Sequence, residues 1–235
     1  MRVAVISGSL ATGIRIASEV ERLPGVEVLI VDCNVRMRSP LFRWLRELAL
    51  ALKSFPWCGY ARKLWSYRRS GKLVILDHTL NDSESLERLK SLECDIGLHA
   101  ANVIYRQPTI DAFRLGILNA HIGILPEYRG RSVAEWSILY GDPTGVTVFF
   151  IDSGIDTGSR IILRERISPR DCRSVRSLKT MLFGFDAILY RQALAALASN
   201  GFRYTHNEVS RGKRYYVMSK ILSSSVENIL KAGVP

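Results

Sequence analysis

The sequence predicts an α/β fold, a doubly wound, mostly parallel sheet with helices on both faces. Three observations predict it. Short β-branched runs alternate with helical patterns, Gly- and Pro-rich turns separate them, and 235 residues at 47% hydrophobic content can bury one sizeable core. Strand, helix and next strand recur at the spacing of right-handed parallel crossovers. That spacing implies a Rossmann-like arrangement, in which ligands bind outside the carboxyl ends of the strands.

The elements follow in order. "RVAVIS" reads as a first strand, "GSLATG" as a turn, "IRIASEVERL" as a helix closed by "PG", and "VEVLIVDC" as a second buried strand. Further on come the strand "KLVILDH", the helix "NDSESLERLKSLE" with Asp and Ser caps at its start, and the strand "CDIGLHAAN". A short helix, "TIDAFRLG", precedes the strand "GILNAHIG". From residue 133 the pattern is a helix, "VAEWSILYG", then strands "GVTVFFID" and "RIILRERI" around a Gly- and Asp-dense turn, "SGIDTG". One long helical stretch is expected from about Arg173 to Ser199, followed by a strand-like "RYYVM" and a final "VENILKAGVP". With no repeat and no low-complexity linker, the expected organisation is an α/β domain over 1–200 and a short C-terminal extension over 201–235.

The formal net charge of +11 is concentrated in one place. Between Arg36 and Lys72 stand ten Lys or Arg and one acid, Glu47, so the segment at about 36–72 reads as a basic helical insertion. Leu41, Trp44, Leu45, Leu48 and Leu52 share one helical face. Three readings stay open for it: a helical pair packed on the domain, a wall for a diphosphate- or lipid-linked sugar, and a peripheral membrane contact. The first residues are too short an apolar run for a secretory leader, and no run of eighteen apolar residues suggests a span. Cys33, Cys58, Cys94 and Cys172 form no CxxC pair, so reduced thiols, a cytoplasmic setting and no metal are expected. "GSLATG" has neither the dinucleotide-binding spacing nor a P-loop Lys, and no RNA-binding signature accompanies the tail aromatics. Neither NAD nor a nucleic-acid partner is expected.

The chemistry points to one strand end. Asn119 and His121, two apart on an extended segment, face the same way, and a neutral amide beside an imidazole can hold a developing oxyanion while the imidazole moves a proton. The pair lacks a local carboxylate to orient the imidazole. "DSGIDTGSR" offers Asp152 and Asp156, and Asp156 is the better placed to project into a cleft. No Ser or Cys sits in a GxSxG context, so acyl transfer would run directly from a bound donor to a bound amine.

"ILNAHIGILPEYRG" followed by "GVTVFFIDSGIDTGSRI" resembles the formyltransferase family that uses 10-formyltetrahydrofolate, which includes glycinamide ribonucleotide, methionyl-tRNA and sugar amine formyltransferases. Asn119, His121, Leu125, Pro126, Tyr128 and Gly130 match one family motif, and Ile155, Asp156 and Gly158 match a second with one conservative change. "DIGLHAANVIYRQPTIDAF" resembles the segment that lines the folate pocket. The resemblance implies that Asn119 and His121 hold the formyl oxygen while Asp156 orients His121 and helps pass a proton. It implies donor contacts from Leu98, Ala100, Ala101, Val103 and Ile104, with Ile151, Asp152 and Gly154 in the turn before Asp156. Acceptor contacts are expected from Ser9, Pro126, Tyr128, Arg129 and Gly130. Ser7, Gly8, Ser9 and Leu10 depart from the Gly-Ser-Asn turn of the purine-pathway members, and the residues after 200 are too few for the barrel of the tRNA enzymes. The expected acceptor is therefore a primary amine on an amino sugar, carried on an anionic nucleotide. The alternatives are a phosphoribosylglycinamide or other small-amine formyltransferase, or a non-catalytic protein of the same fold that binds anions or a membrane surface. A homodimer is left open.

Overall fold

In the computed structural model, residues 1–34, 57–154, 156–199 and 202–233 are described, and the chain divides into two compact units, Met1–Leu118 and Asn119–Pro235. The Leu41 to Leu52 face of the basic segment and Ile155 of the second motif lie outside the described residues.

Unit 1 is the parallel half. Strands β1 (Arg2–Ser7), β2 (Glu27–Asp32), β3 (Leu73–Ile75), β4 (Ile96–Ala100) and the start of β5 (Ile117–His121) run parallel in the order β3-β2-β1-β4-β5. β1 and β2 are buried along nearly their whole length, which is why they read as continuous apolar runs and not as alternation. Helix α1 (Leu10–Val20) lies close on this sheet. A Cβ at Gly13 would stand 2.9 Å from Ile30 Cγ2, so only glycine permits that approach. Helix α2 (Trp57–Arg69) buries Tyr60 and Tyr67 and leaves Trp65 exposed beneath the Arg69 guanidinium. Helix α3 (Ser83–Ser91) starts after Asp82 as expected, but the Asp82 carboxylate accepts from Thr79 N and Oγ1 and makes no cap bond to the helix, whereas α4 (Gln107–Ile110) is shorter than the "TIDAFRLG" pattern suggests. Strand order reverses between β1 and β4, and there Gly8 N donates to Ala100 O. That reversal is where open α/β sheets bind ligands.

Asp95, just before β4, ties this sheet together. Its carboxylate accepts from Arg2 N at 2.7 Å and from the Arg114 guanidinium at 2.8 Å, and these bonds hold its pKa below the ordinary aspartate value. A carboxyl whose folded pKa is depressed contributes stability above its unfolded pKa and loses it as pH falls through the folded one. Unfolding measured from pH 6 downward should therefore show stability fading below about pH 4, and Asp95→Asn should flatten that acid limb. An unchanged limb in the variant would show that other carboxylates carry it.

Unit 2 carries β6 (Tyr128–Gly130), α5 (Val133–Tyr140), β7 (Gly145–Phe150) and β8 (Arg160–Arg166), then α6 (Val175–Gly184) and α7 (Asp186–Ala198). β9 (Thr205–His206), a 3₁₀ turn at Val209–Arg211, β10 (Lys213–Tyr215) and α8 (Lys220–Ala232) complete it. β8 pairs antiparallel with β7 on one side and β9 on the other, while β6 and β10 form a separate parallel pair. The long helix expected over 173–199 is two helices that part at Phe185. Gly184, with its weak helical preference, ends the first, and a reciprocal Ser174 and Ser177 capping box starts it. Taken as one run, Val175–Ala198 is long and apolar enough to cross a membrane by length and composition, a balance that counting unbroken apolar residues misses. Leu178, Leu182, Tyr190 and Leu194 on it are buried, as core helices require. The tail after residue 201 is built into this unit, since α8 packs on α5 and α6 and buries Val226 and Leu230.

Candidate active site

Asn119 and His121 occupy the carboxyl-terminal end of β5, and Ala120 between them donates its N–H to the Tyr190 hydroxyl at 2.9 Å. The strand end is thereby clamped to α7. His121 is 8% exposed, and its Nε2 lies 2.8 Å from the carbonyl of Tyr128. A carbonyl can only accept, so this contact places a hydrogen on Nε2 and turns Nδ1 the other way. Nδ1 faces Asp156 Oδ1 at 3.6 Å, and Asp156 Oδ2 accepts from Gly130 N at 2.8 Å. The carboxylate that is absent from the local sequence around His121 is thus brought to it by the turn between β7 and β8. Among the described residues, no side-chain hydrogen bond engages Asn119, which leaves its amide available to a ligand.

Asp156 is held in an uncommon conformation. Its φ of 53° lies in the left-handed region, which costs a non-glycine residue about 1–3 kcal/mol unless the surroundings over-determine it. Here they do. Asn207, 2% exposed and immediately after β9, donates through Nδ2 to Asp156 O at 3.3 Å and Gly158 O at 3.0 Å, while its own N–H bonds Ser159 O. Asp152 closes the preceding part of the turn, accepting from Gly154 N at 3.0 Å and Thr157 Oγ1 at 2.7 Å. Asn207 escapes sequence reasoning, because a lone Asn in a polar tail carries no spacing signal.

Asn207→Ala removes both bridges and leaves two carbonyls unpaired, at a cost of about 1–3 kcal/mol. Because the loss frees the turn that holds Asp156, the variant should melt several degrees below the parent. A thermal melt that overlays the parent would show that neither bridge holds the turn.

The other expected site residues fall as follows. Tyr128 lends its carbonyl to His121, and its phenol donates to Asp142; burial and that bond push the phenol well above its usual range. Arg129 turns a guanidinium nitrogen toward the carbonyls of Val209 and Gly212, both at 3.3 Å. Pro126 follows a cis peptide bond in the loop before β6. In unit 1, Ser9 begins α1, its N–H bonded to Ser7 Oγ and its own hydroxyl buried without a partner. Leu98 is buried in β4, Ala100 ends that strand, and Ala101, Val103 and Ile104 follow it, with Ile104 71% exposed. His99 pairs with the Tyr105 hydroxyl at 2.8 Å. Ile151 lies just beyond β7 in unit 2.

A parallel sheet with a ligand edge and a strand-end imidazole backed by a carboxylate define an α/β protein equipped for acyl or proton transfer. Residues 72–190, half of the chain, match the formyl transferase family model, and the chain belongs to that family. It is 34% identical over 134 residues to methionyl-tRNA formyltransferase of Rhodopseudomonas palustris (strain TIE-1), a match covering 56% of this chain and 43% of that protein. The chain spans less than half the length of the curated relatives it matches. Its fold resembles that of glycinamide ribonucleotide transformylase 1 from Symbiobacterium toebii, with a TM-score of 0.60 and 19% identity over 88% of this chain and 94% of that one. It also resembles the formyltransferase PseJ from Anoxybacillus kamchatkensis, whose structure contains UDP-4,6-dideoxy-4-formamido-L-AltNAc and tetrahydrofolate. There the TM-score is 0.51 and the identity 17%, over 92% of this chain and 85% of that one.

Proposed function

We propose that the chain transfers a formyl group from 10-formyltetrahydrofolate to a primary amine, and that the amine belongs to a nucleotide-linked amino sugar. The observation that carries the reading is the alignment of the free Asn119 amide, His121 and Asp156 within the family-matched residues. The Asn119 N–H donates to the formyl oxygen as that oxygen gains negative charge. The proton released by the attacking amine goes to His121 Nδ1, where Asp156 balances the new charge, while the Tyr128 carbonyl keeps Nε2–H fixed; as the oxyanion collapses, the C–N10 bond breaks and that proton passes to N10 of the departing tetrahydrofolate. This divides the labour more sharply than a pair of equivalent donors would, because Nε2 is already engaged.

Donor contacts are assigned to Ala100, Ala101, Val103, Ile104, Ile151, Asp152 and Gly154; Leu98, with no exposed surface, packs in the core and leaves the expected donor set. Acceptor contacts are assigned to Ser9 and to the loop of Pro126, Tyr128, Arg129 and Gly130. A cytoplasmic setting suits the free thiols Cys33, Cys94 and Cys172; burial pushes Cys33 up to about 12 and Cys94 up to about 11, so both stay protonated. A second reading, the amine of methionyl-tRNA, is favoured by the names of the curated relatives. Incubation with 10-formyltetrahydrofolate and three acceptors separates the readings: 4-amino nucleotide sugars, methionyl-tRNA and glycinamide ribonucleotide. Gain of one formyl unit by the sugar, with release of tetrahydrofolate, supports the first. Formylation of the charged tRNA alone replaces it, and silence with every acceptor removes formyl transfer.

A further inference from the structure

We propose that unit 2 holds a second ligand site, a phosphate-binding cavity formed by β8, the loop before β6 and the 3₁₀ turn. The cavity has a volume of about 500 Å³, and its lining includes Leu125 and Pro126, the three arginines Arg164, Arg166 and Arg211, and the acids Glu127 and Glu208. That size is within the range of small-molecule sites. His121, Asn119 and Asp156 do not line it.

Its arginines are arranged for an anion. Arg164 and Arg166 are two apart on β8, so their side chains leave the same face of the strand about 7 Å apart. Neither has a hydrogen bond or ion pair among the described residues. Glu165 between them points to the opposite face, as strand geometry demands, and cannot neutralise either one. Arg211 approaches from the 3₁₀ turn and is paired through Nε with Glu208, which leaves its terminal nitrogens free. Two unpaired guanidiniums in one concave wall raise each other's electrostatic cost, and an anion accepting from both relieves it. Arginine forks favour phosphate oxygens, and two forks at this spacing favour two linked phosphates over one. The ligand class is a diphosphate, free or esterified.

The inference is independent of formyl transfer and is tested without donor or amine. Calorimetric titration of the full chain with inorganic pyrophosphate should give one saturable site, at least ten-fold tighter than inorganic phosphate. In Arg164→Gln/Arg166→Gln the pyrophosphate affinity should fall at least ten-fold with the melting temperature unchanged, since both side chains are exposed. Arg88→Gln, which removes an exposed charge from unit 1, should bind as the parent does. Absence of saturable binding overturns the site. So does equal weakening in the Arg88 variant, which would mark general attraction to a chain of net charge +11, and so does full binding by the double variant.

Discussion

Asp156→Asn should lower turnover by about 10²–10⁴-fold while the protein folds normally. The substitution is unusually clean here. One Asp156 oxygen accepts from Gly130 N, and an Asn side chain can keep that bond through its own carbonyl oxygen. What it cannot supply is the negative charge 3.6 Å from His121 Nδ1. The variant therefore isolates charge from architecture: circular dichroism and melting should stay close to the parent, and the loss should lie in kcat. His121→Ala should be at least as severe, about 10³-fold or more, and also leaves the Tyr128 carbonyl without its donor. Near-parental turnover in either variant would falsify the assignment of proton transfer to this pair.

Gly130→Ala should lower stability sharply. Gly130 has φ of +100°, and an added Cβ would stand 2.2 Å from the carbonyl oxygen of Tyr215, its register partner in β10. The left-handed backbone and the overlap together cost about 2–4 kcal/mol. The melting temperature should fall by roughly 5–15 °C. Relief of the overlap requires β10 to move off β6, and Gly130 N, which holds Asp156, would move with it. Turnover should therefore drop along with stability, even at temperatures where the variant is folded. A variant that melts with the parent would mean that β6 and β10 do not pair in this register.

Both predictions show where sequence reasoning stops. The "NAH" segment was legible because a strand end is a local event: an apolar run stops, and two polar residues at period 2 share a face. Asp156 was legible as a candidate because Gly and Asp in "SGIDTG" announce a turn. Asn207 and the Tyr128 carbonyl were not, since one is a single residue of a common type and the other has no side-chain identity at all. Nor could residue types reveal that Tyr128–Gly130 pairs with Lys213–Tyr215, a three-residue parallel contact between segments some eighty-five positions apart. The break at Phe185 was hidden for the opposite reason, because helical periodicity continues through it.

The sequence by itself determined the alternation of strands and helices, the parallel sense of the first strands, and the strand end that carries Asn119 and His121. These follow from periodicity and turn chemistry within a few residues of each position. Only the tertiary structure decided which nitrogen of His121 faces Asp156, how Asp156 is held in a left-handed turn by Asn207, and that the C-terminal residues are part of the site's support. Those choices depend on hydrogen bonds between distant segments, whose partners are selected by packing and not by any local preference of the chain.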